Sequence, residues 1–203
     1  MKLVVDPRSS ASLRVLTYLA WKGIAIDVVA IDILAGEHRQ AGHAALNPSR
    51  AVPALDLGDD GAIAQSMAIM EWLEALHPQP AAMPADELGR ARVRNLCGLI
   101  GADIHPLTNL RMRKHVEGMA GEAASREWVR HWTDIGLAAV DEWLERYAGT
   151  YSVGDAVTLA DFFVAPLVFN ARRAGCDVQT HGHVVRVVGN CLKLPAFERM
   201  LAP

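Results

Sequence analysis

The sequence predicts an α/β unit followed by an all-α unit. Three observations carry this. Short apolar runs alternate with helix-spaced stretches through the first 77 residues, a proline-rich segment follows, and beyond it every apolar pattern has a helical period. A length of 203 residues allows one large domain or two small ones. A hydrophobic share of 51% against 21% charged residues provides a sizeable core and excludes a disordered chain.

"KLVV" (2–5) reads as a strand, and "SSASLRVLTYLAWKG" (9–23) as a helix that ends at Gly23. "AIDVVAIDI" (25–33) alternates as a second strand, and "EHRQAGHAAL" (37–46) is a weaker helix. "VPALDL" (52–57) and "AIA" (62–64) flank the turn-rich "GDDG" and form a hairpin. "SMAIMEWLEALH" (66–77) then returns to helical spacing. The order is β-α-β-α-β-β-α, with a right-handed crossover in its βαβ part.

"PQPAAMPADE" (78–87), with three prolines, predicts a linker, which sets the domains at 1–78 and 86–203 with 79–85 between them. The stretch 86–119 reads as a long helix interrupted near Pro106. Residues 125–148 form a second amphipathic helix that places Trp128, Trp132 and Trp143 in the core. Residues 158–175 and 183–201 supply two more, the first opening on a capping box with Thr158 as N-cap and Asp161 three residues on.

A net charge of −3 offers no basic field for nucleic acid. Residues 1–80 carry six basic and nine acidic side chains, and 81–203 carry fourteen of each, so any functional positive charge is local. No window approaches a signal peptide or a membrane span. Cys97, Cys176 and Cys191 lack CxxC spacing and read as reduced thiols of a cytoplasmic protein, Cys97 in the core. His181 and His183 lack a third ligand, so no metal is predicted.

Three short pieces carry chemistry. In "RSSASLRV" (8–15) three serines open the first helix, and capping needs only one of them. The surplus suits an anion held at the helix N-terminus, while Ser9 and Ser12 alternatively read as caps or solvent-facing groups and Arg14 as structural. In "NPSRAVPAL" (47–55), Val52-Pro53 marks a tight turn that presents the Val52 backbone as a pairing edge for a peptide. In "QSMAIMEWL" (65–73), Gln65 precedes Ser66 at a helix N-cap, an anion site suited to a carboxylate.

Together these pieces resemble the glutathione transferase superfamily, which joins a thioredoxin-like N-terminal domain to a helical C-terminal domain. "RSSASLRV", "DIHPLTNLR" (103–111) and "TLADFFVAPLVFNARR" (158–173) resemble in particular its zeta class, the maleylacetoacetate and maleylpyruvate isomerases. The resemblance implies a glutathione-dependent cis–trans isomerase of a dicarboxylate. The glutathione thiolate adds reversibly to the double bond of a maleyl-oxoacid, maleylpyruvate before maleylacetoacetate. It implies that Val52 and Pro53 hold the cysteinyl part, Gln65 and Ser66 the γ-glutamyl group, and His38 and Gln40 the glycyl end. Ser9, Ser10 and Ala11 surround the thiol. Asn109, with His105 nearby, reaches glutathione across a homodimer interface.

A free thiol titrates near ~8.5, and a hydroxyl donor from Ser9 or Ser10 plus the helix N-terminus lowers that by about one to two. Arg8, Arg111 and Arg173 are the implied carboxylate anchors. Ala11 stands where the family often has cysteine or threonine, Leu13 where it has an aromatic or histidine, and Leu167 where glutamine is common. A conjugating transferase for electrophiles such as α-haloacids and a non-catalytic binding protein are the competing readings.

Overall fold

The computed structural model describes residues 1–201, which form two compact units, Met1–Ala81 and Ala82–Leu201. The first contains β1 (Lys2–Val5), α1 (Ser10–Lys22), β2 (Asp27–Ala30), α2 (Ala41–Leu46), β3 (Ala54–Asp56), β4 (Ala62–Ala64) and α3 (Ser66–Leu76). A 3-10 turn at Glu37–Arg39 precedes α2. The sheet order is β2-β1-β3-β4; β1 and β2 are parallel, and the other two pairs are antiparallel.

The apolar spacing read from the sequence becomes this unit's core. Leu3, Val5 and Leu55 from the sheet, Tyr18 from α1, and Ile69, Met70 and Leu73 from α3 have no more than trace exposure. Gly23 ends α1 at φ 69°, the left-handed conformation in which a Cβ is costly. β2 is an edge strand, and Val28 and Val29 are exposed on it. At the far end of α1, the Lys22 ammonium pairs with Glu74 at 2.6 Å. It also donates to the carbonyls of His77 at 2.6 Å and Pro80 at 2.5 Å. Glu74 accepts from the Tyr18 hydroxyl at 2.8 Å as well.

The second unit contains α4 (Glu87–Gly98), a π-helical stretch (Leu99–Ile104), α5 (His105–Thr108), α6 (Leu110–Tyr147), α7 (Asp161–Arg173), α8 (Gly182–Cys191) and α9 (Pro195–Leu201). The predicted break near Pro106 lies instead at Asn109, whose backbone is extended at φ −70°, ψ 166°. Pro106 breaks nothing: α5 follows the π-helical stretch directly, Ile104 and His105 both have helical backbone, and the His105 N–H donates to the Ile100 carbonyl. The helix expected over 125–148 is the later part of α6, which turns at Gly121 with φ 84° and ψ 170°, a conformation essentially reserved for glycine. The last predicted helix, over 183–201, is two helices, because Pro195 starts a new one.

The tryptophans are half-buried rather than core. Trp128 and Trp143 lie at the rim, where their ring N–H groups donate to the Leu107 carbonyl (2.8 Å) and to Asn95 (2.7 Å). The buried stripe of α6 runs through Thr133, Leu137, Val140 and Leu144. Gly136 lies on it because a Cβ there would come within 2.7 Å of the Ile104 side chain.

The expected capping box at 158–161 is half present. The Asp161 carboxylate accepts the Thr158 N–H at 2.8 Å, but the Thr158 hydroxyl donates to Asp161 at 3.2 Å instead of capping a helical N–H. The same carboxylate accepts the Ser152 N–H at 2.8 Å and is fully buried.

Candidate active site

The strand register assembles the site. Val4 pairs with Ala54, and Ala54 with Ala64, so the exit of β1, the entry to β3 and the exit of β4 lie at one end of the sheet. The three sequence pieces, 8–15, 47–55 and 65–73, therefore meet there.

At the exit of β1 the chain turns through Asp6–Ser9, with the Ser9 N–H on the Asp6 carbonyl at 2.9 Å. Ser9 is the N-cap of α1; its hydroxyl accepts the Ser12 N–H at 3.5 Å. Ser10 is the first helical residue and is buried. Ser12 is neither a cap nor solvent-facing: it is fully buried, and its hydroxyl accepts the Asp6 N–H at 3.2 Å.

Arg8, expected as a substrate anchor, is clamped by carboxylates. Nη2 lies 2.6 Å from Asp6 and 2.6 Å from Asp32, and Nε donates to Asp6 at 3.0 Å. Both carboxylates belong to the same unit, and these contacts, with the Arg8 N–H on Asp6 Oδ1 at 2.8 Å, tie Arg8 to the β1–α1 turn while its side chain stays 45% exposed. Burial pushes the Asp6 carboxyl up, but hydrogen bonds from Arg8 and the Ile33 N–H outweigh this and hold it below its ordinary value of 3.8.

A carboxyl whose folded pKa is depressed stabilises the fold above its unfolded pKa and loses that contribution as pH falls through the folded value. Asp6→Asn is thus expected to lower the melting temperature at neutral pH. The gap to the unsubstituted protein should close as pH drops below 3.8. Thermal melts across that range check this, and a gap independent of pH refutes it.

At the entry to β3, the Val52-Pro53 bond is cis and Val52 is buried. The loop before it winds about Asn47, whose Oδ1 accepts the Ser49 N–H (3.1 Å) and hydroxyl (2.8 Å) while Nδ2 donates to the Ala51 carbonyl at 2.8 Å. At the exit of β4, Gln65 is the N-cap of α3 with φ 76°, and its side chain caps nothing. Ser66 is not the cap but the first helical residue. Its hydroxyl accepts from Nη1 of the buried Arg14 at 3.2 Å, which ties the start of α3 to α1. His38 lies half-buried in the 3-10 turn, and the exposed Gln40 precedes α2.

In the second unit, His105 opens α5 and is half-buried. Asn109 caps α6, its Oδ1 accepting the Met112 N–H at 3.0 Å. Arg111 is exposed in the first turn of α6, and Arg173 is exposed at the end of α7 with its guanidinium 5.7 Å from the Phe169 ring.

The sequence reading passed over Asp6, Asp32, His43 and Asn47. Their signal was weak: an aspartate before a proline, and an asparagine opening a turn. Among the described residues no cluster of three or more metal-ligating side chains occurs, and no helix is long and apolar enough to cross a membrane. Burial, with Asp134 beside it, pushes the Cys176 thiol up to about 12.

A βαβαββα sheet unit whose helix starts and cis-proline loop share one end, joined to a helical unit, defines the glutathione transferase class. Residues 8–76 match the family of the glutathione S-transferase N-terminal domain. The chain is 40% identical to a maleylpyruvate isomerase from a Ralstonia species, over 98% of this chain and 95% of the relative. Among solved structures, a holo maleylpyruvate isomerase, a bacterial glutathione S-transferase of the zeta class, matches with a TM-score of 0.92 and 39% identity over 98% and 96% of the two chains. A maleylacetoacetate isomerase from Methylobacterium extorquens, with bound malonate and glutathione, matches with a TM-score of 0.94 and 32% identity over 100% and 98%. The chain belongs to the zeta-class maleylpyruvate and maleylacetoacetate isomerase family.

Proposed function

We propose that this protein is a glutathione-dependent cis–trans isomerase of maleyl-oxoacids, with maleylpyruvate as the favoured substrate. The observation that carries the reading is the shared sheet end. There a helix start bearing serines, a backbone N–H at Val52 with no partner among the described residues, and the start of α3 lie together. Those groups fit a peptide bearing a thiol and an α-carboxylate. The relatives' names and the glutathione bound in solved homologues agree with it.

Bound glutathione supplies a thiolate that adds to the maleyl double bond and leaves once the bond has rotated. The chain's own residues do the rest. Val52 pairs its backbone with the cysteinyl part, with Pro53 fixing the turn. Gln65, Ser66 and the free N–H groups of α3 hold the γ-glutamyl carboxylate, and His38 and Gln40 take the glycyl end. Since Ser9 caps the helix, Ser10 is assigned the thiolate hydrogen bond, with Ala11 alongside; the N-terminal end of α1 adds its partial positive charge.

Arg111 and Arg173 bind the carboxylates of the substrate, and Arg8 acts indirectly, by holding the turn. In a homodimer, His105 and Asn109 serve the partner's glutathione, Asn109 through its amide nitrogen because its oxygen caps α6. Residues 1–78 are the glutathione-binding domain, 79–85 the linker and 86–203 the substrate domain; the boundary between compact units at 81/82 supports this division. Three cysteines without a disulfide support a cytoplasmic setting.

The test is maleylpyruvate incubated with the protein, with and without catalytic glutathione, following fumarylpyruvate and free thiol together. Conversion with thiol unchanged is expected. Thiol consumed in step with substrate indicates conjugation, and no reaction refutes the enzyme reading.

A further inference from the structure

We propose that His43 is a positioning residue for glutathione: by donating to the Ala51 carbonyl it fixes the plane of the Ala51–Val52 peptide and thereby aims the Val52 N–H. The proposal rests on the function proposed above and deepens its account of the peptide-binding edge.

His43 lies on α2, four residues before Asn47, so both side chains leave the same face of that short segment. The His43 ring Nε2 is 2.9 Å from the Ala51 oxygen, and Asn47 Nδ2 is 2.8 Å from the same atom. A carbonyl only accepts, so the proton of the neutral ring is on Nε2. Two donors then share this one oxygen, which can accept both, and together they pin it more firmly than one donor can.

A trans peptide is planar, and its C=O and N–H point in opposite directions. Holding the Ala51 oxygen toward α2 therefore turns the Val52 N–H away from it. That N–H takes no hydrogen-bond partner among the described residues, although Val52 is buried. Nδ1 of His43 is buried with no partner, so the polar contact of the ring is the Ala51 oxygen alone. The Arg50 N–H on the Asn47 carbonyl at 2.8 Å closes the same loop. With His43 gone, Asn47 still satisfies the carbonyl, so the loop keeps its fold while the peptide plane is free to tilt. The loss is one of aim.

The experiment compares His43→Phe, which keeps a ring but no donor, with His43→Gln, whose amide nitrogen can reach the same carbonyl. Glutathione affinity is measured by calorimetry, and the isomerase reaction is followed with glutathione varied. His43→Phe is expected to raise the dissociation constant and the KM for glutathione about five- to tenfold, with kcat at saturation within about twofold, the scale of one hydrogen bond. His43→Gln should recover most of the loss. The ring tautomer, read from 15N shifts of the ligand-free protein, should show Nε2 protonated.

Unchanged affinity in His43→Phe, equal losses in both variants, or a proton on Nδ1 overturns the proposal. If the unsubstituted protein binds no glutathione, the functional reading fails and the His43 role falls with it. If it binds glutathione and the variants do not differ from it, only the His43 role fails.

Discussion

Asp161→Ala is expected to destabilise the protein by about 3–5 kcal/mol, the scale of several buried donors losing a charged acceptor at once. The carboxylate is fully buried and accepts the N–H groups of Ser152 and Thr158 and the Thr158 hydroxyl, with the Cys191 thiol 3.7 Å away. Burial pushes its carboxyl above the ordinary value, against hydrogen bonds from Thr158 and Ser152 that pull it down. Alanine removes the acceptor and strands all the donors in a site closed to water. Asp161→Asn keeps the volume but turns an NH2 group toward an N–H, so it should recover only part of the loss. Denaturant midpoints for the two variants decide the matter; a shift under about 1 kcal/mol for alanine means that water or a local rearrangement serves the donors instead.

The second large effect concerns Ser10. Ser10→Ala is expected to lower kcat about 10- to 100-fold, the equivalent of one hydrogen bond to a charged sulfur, with little change in glutathione affinity. Ser9→Ala should instead cost about 1 kcal/mol of stability, as a lost N-cap, and leave turnover less affected. The contrast follows from their positions, Ser9 bonding the Ser12 N–H and Ser10 starting the helix. Thiol pKa in the bound state, read from thiolate absorbance, separates the roles: Ser10→Ala should raise it. If Ser9→Ala raises it instead, the two assignments exchange.

The elements of the first unit were legible because each signal was local: a strand period, a glycine at a helix end, a turn between two short apolar runs. The meeting of the three motif pieces was also foreseeable, since β-α-β-α-β-β-α connectivity leaves few registers. What escaped the sequence was mostly a matter of distant partners. Arg8 looked available because Asp32, which lies 24 positions along the chain, arrives only through the parallel pairing of β1 and β2. Ser12 looked like surface because nothing local shows that its hydroxyl faces the end of β1.

The tryptophans misled for another reason. Their spacing marks a helix face, but a large ring with a polar N–H settles at the rim of a core. Pro106 drew the helix break three positions early because the wider π-helical stretch before it carries the helix through the proline, whereas Asn109 turns extended and caps the next helix with its side chain. Leu13 and Leu167, the departures from the family pattern, are simply buried.

The Lys22 ammonium has a consequence for how the polypeptide responds to cleavage. Its acceptors, Glu74, His77 and Pro80, all lie within Met1–Ala81. A protease cutting at 82–85 would sever the connection to the helices and leave this clasp whole, so the amino-terminal fragment would keep its last turn moored to α1 instead of fraying from the nick.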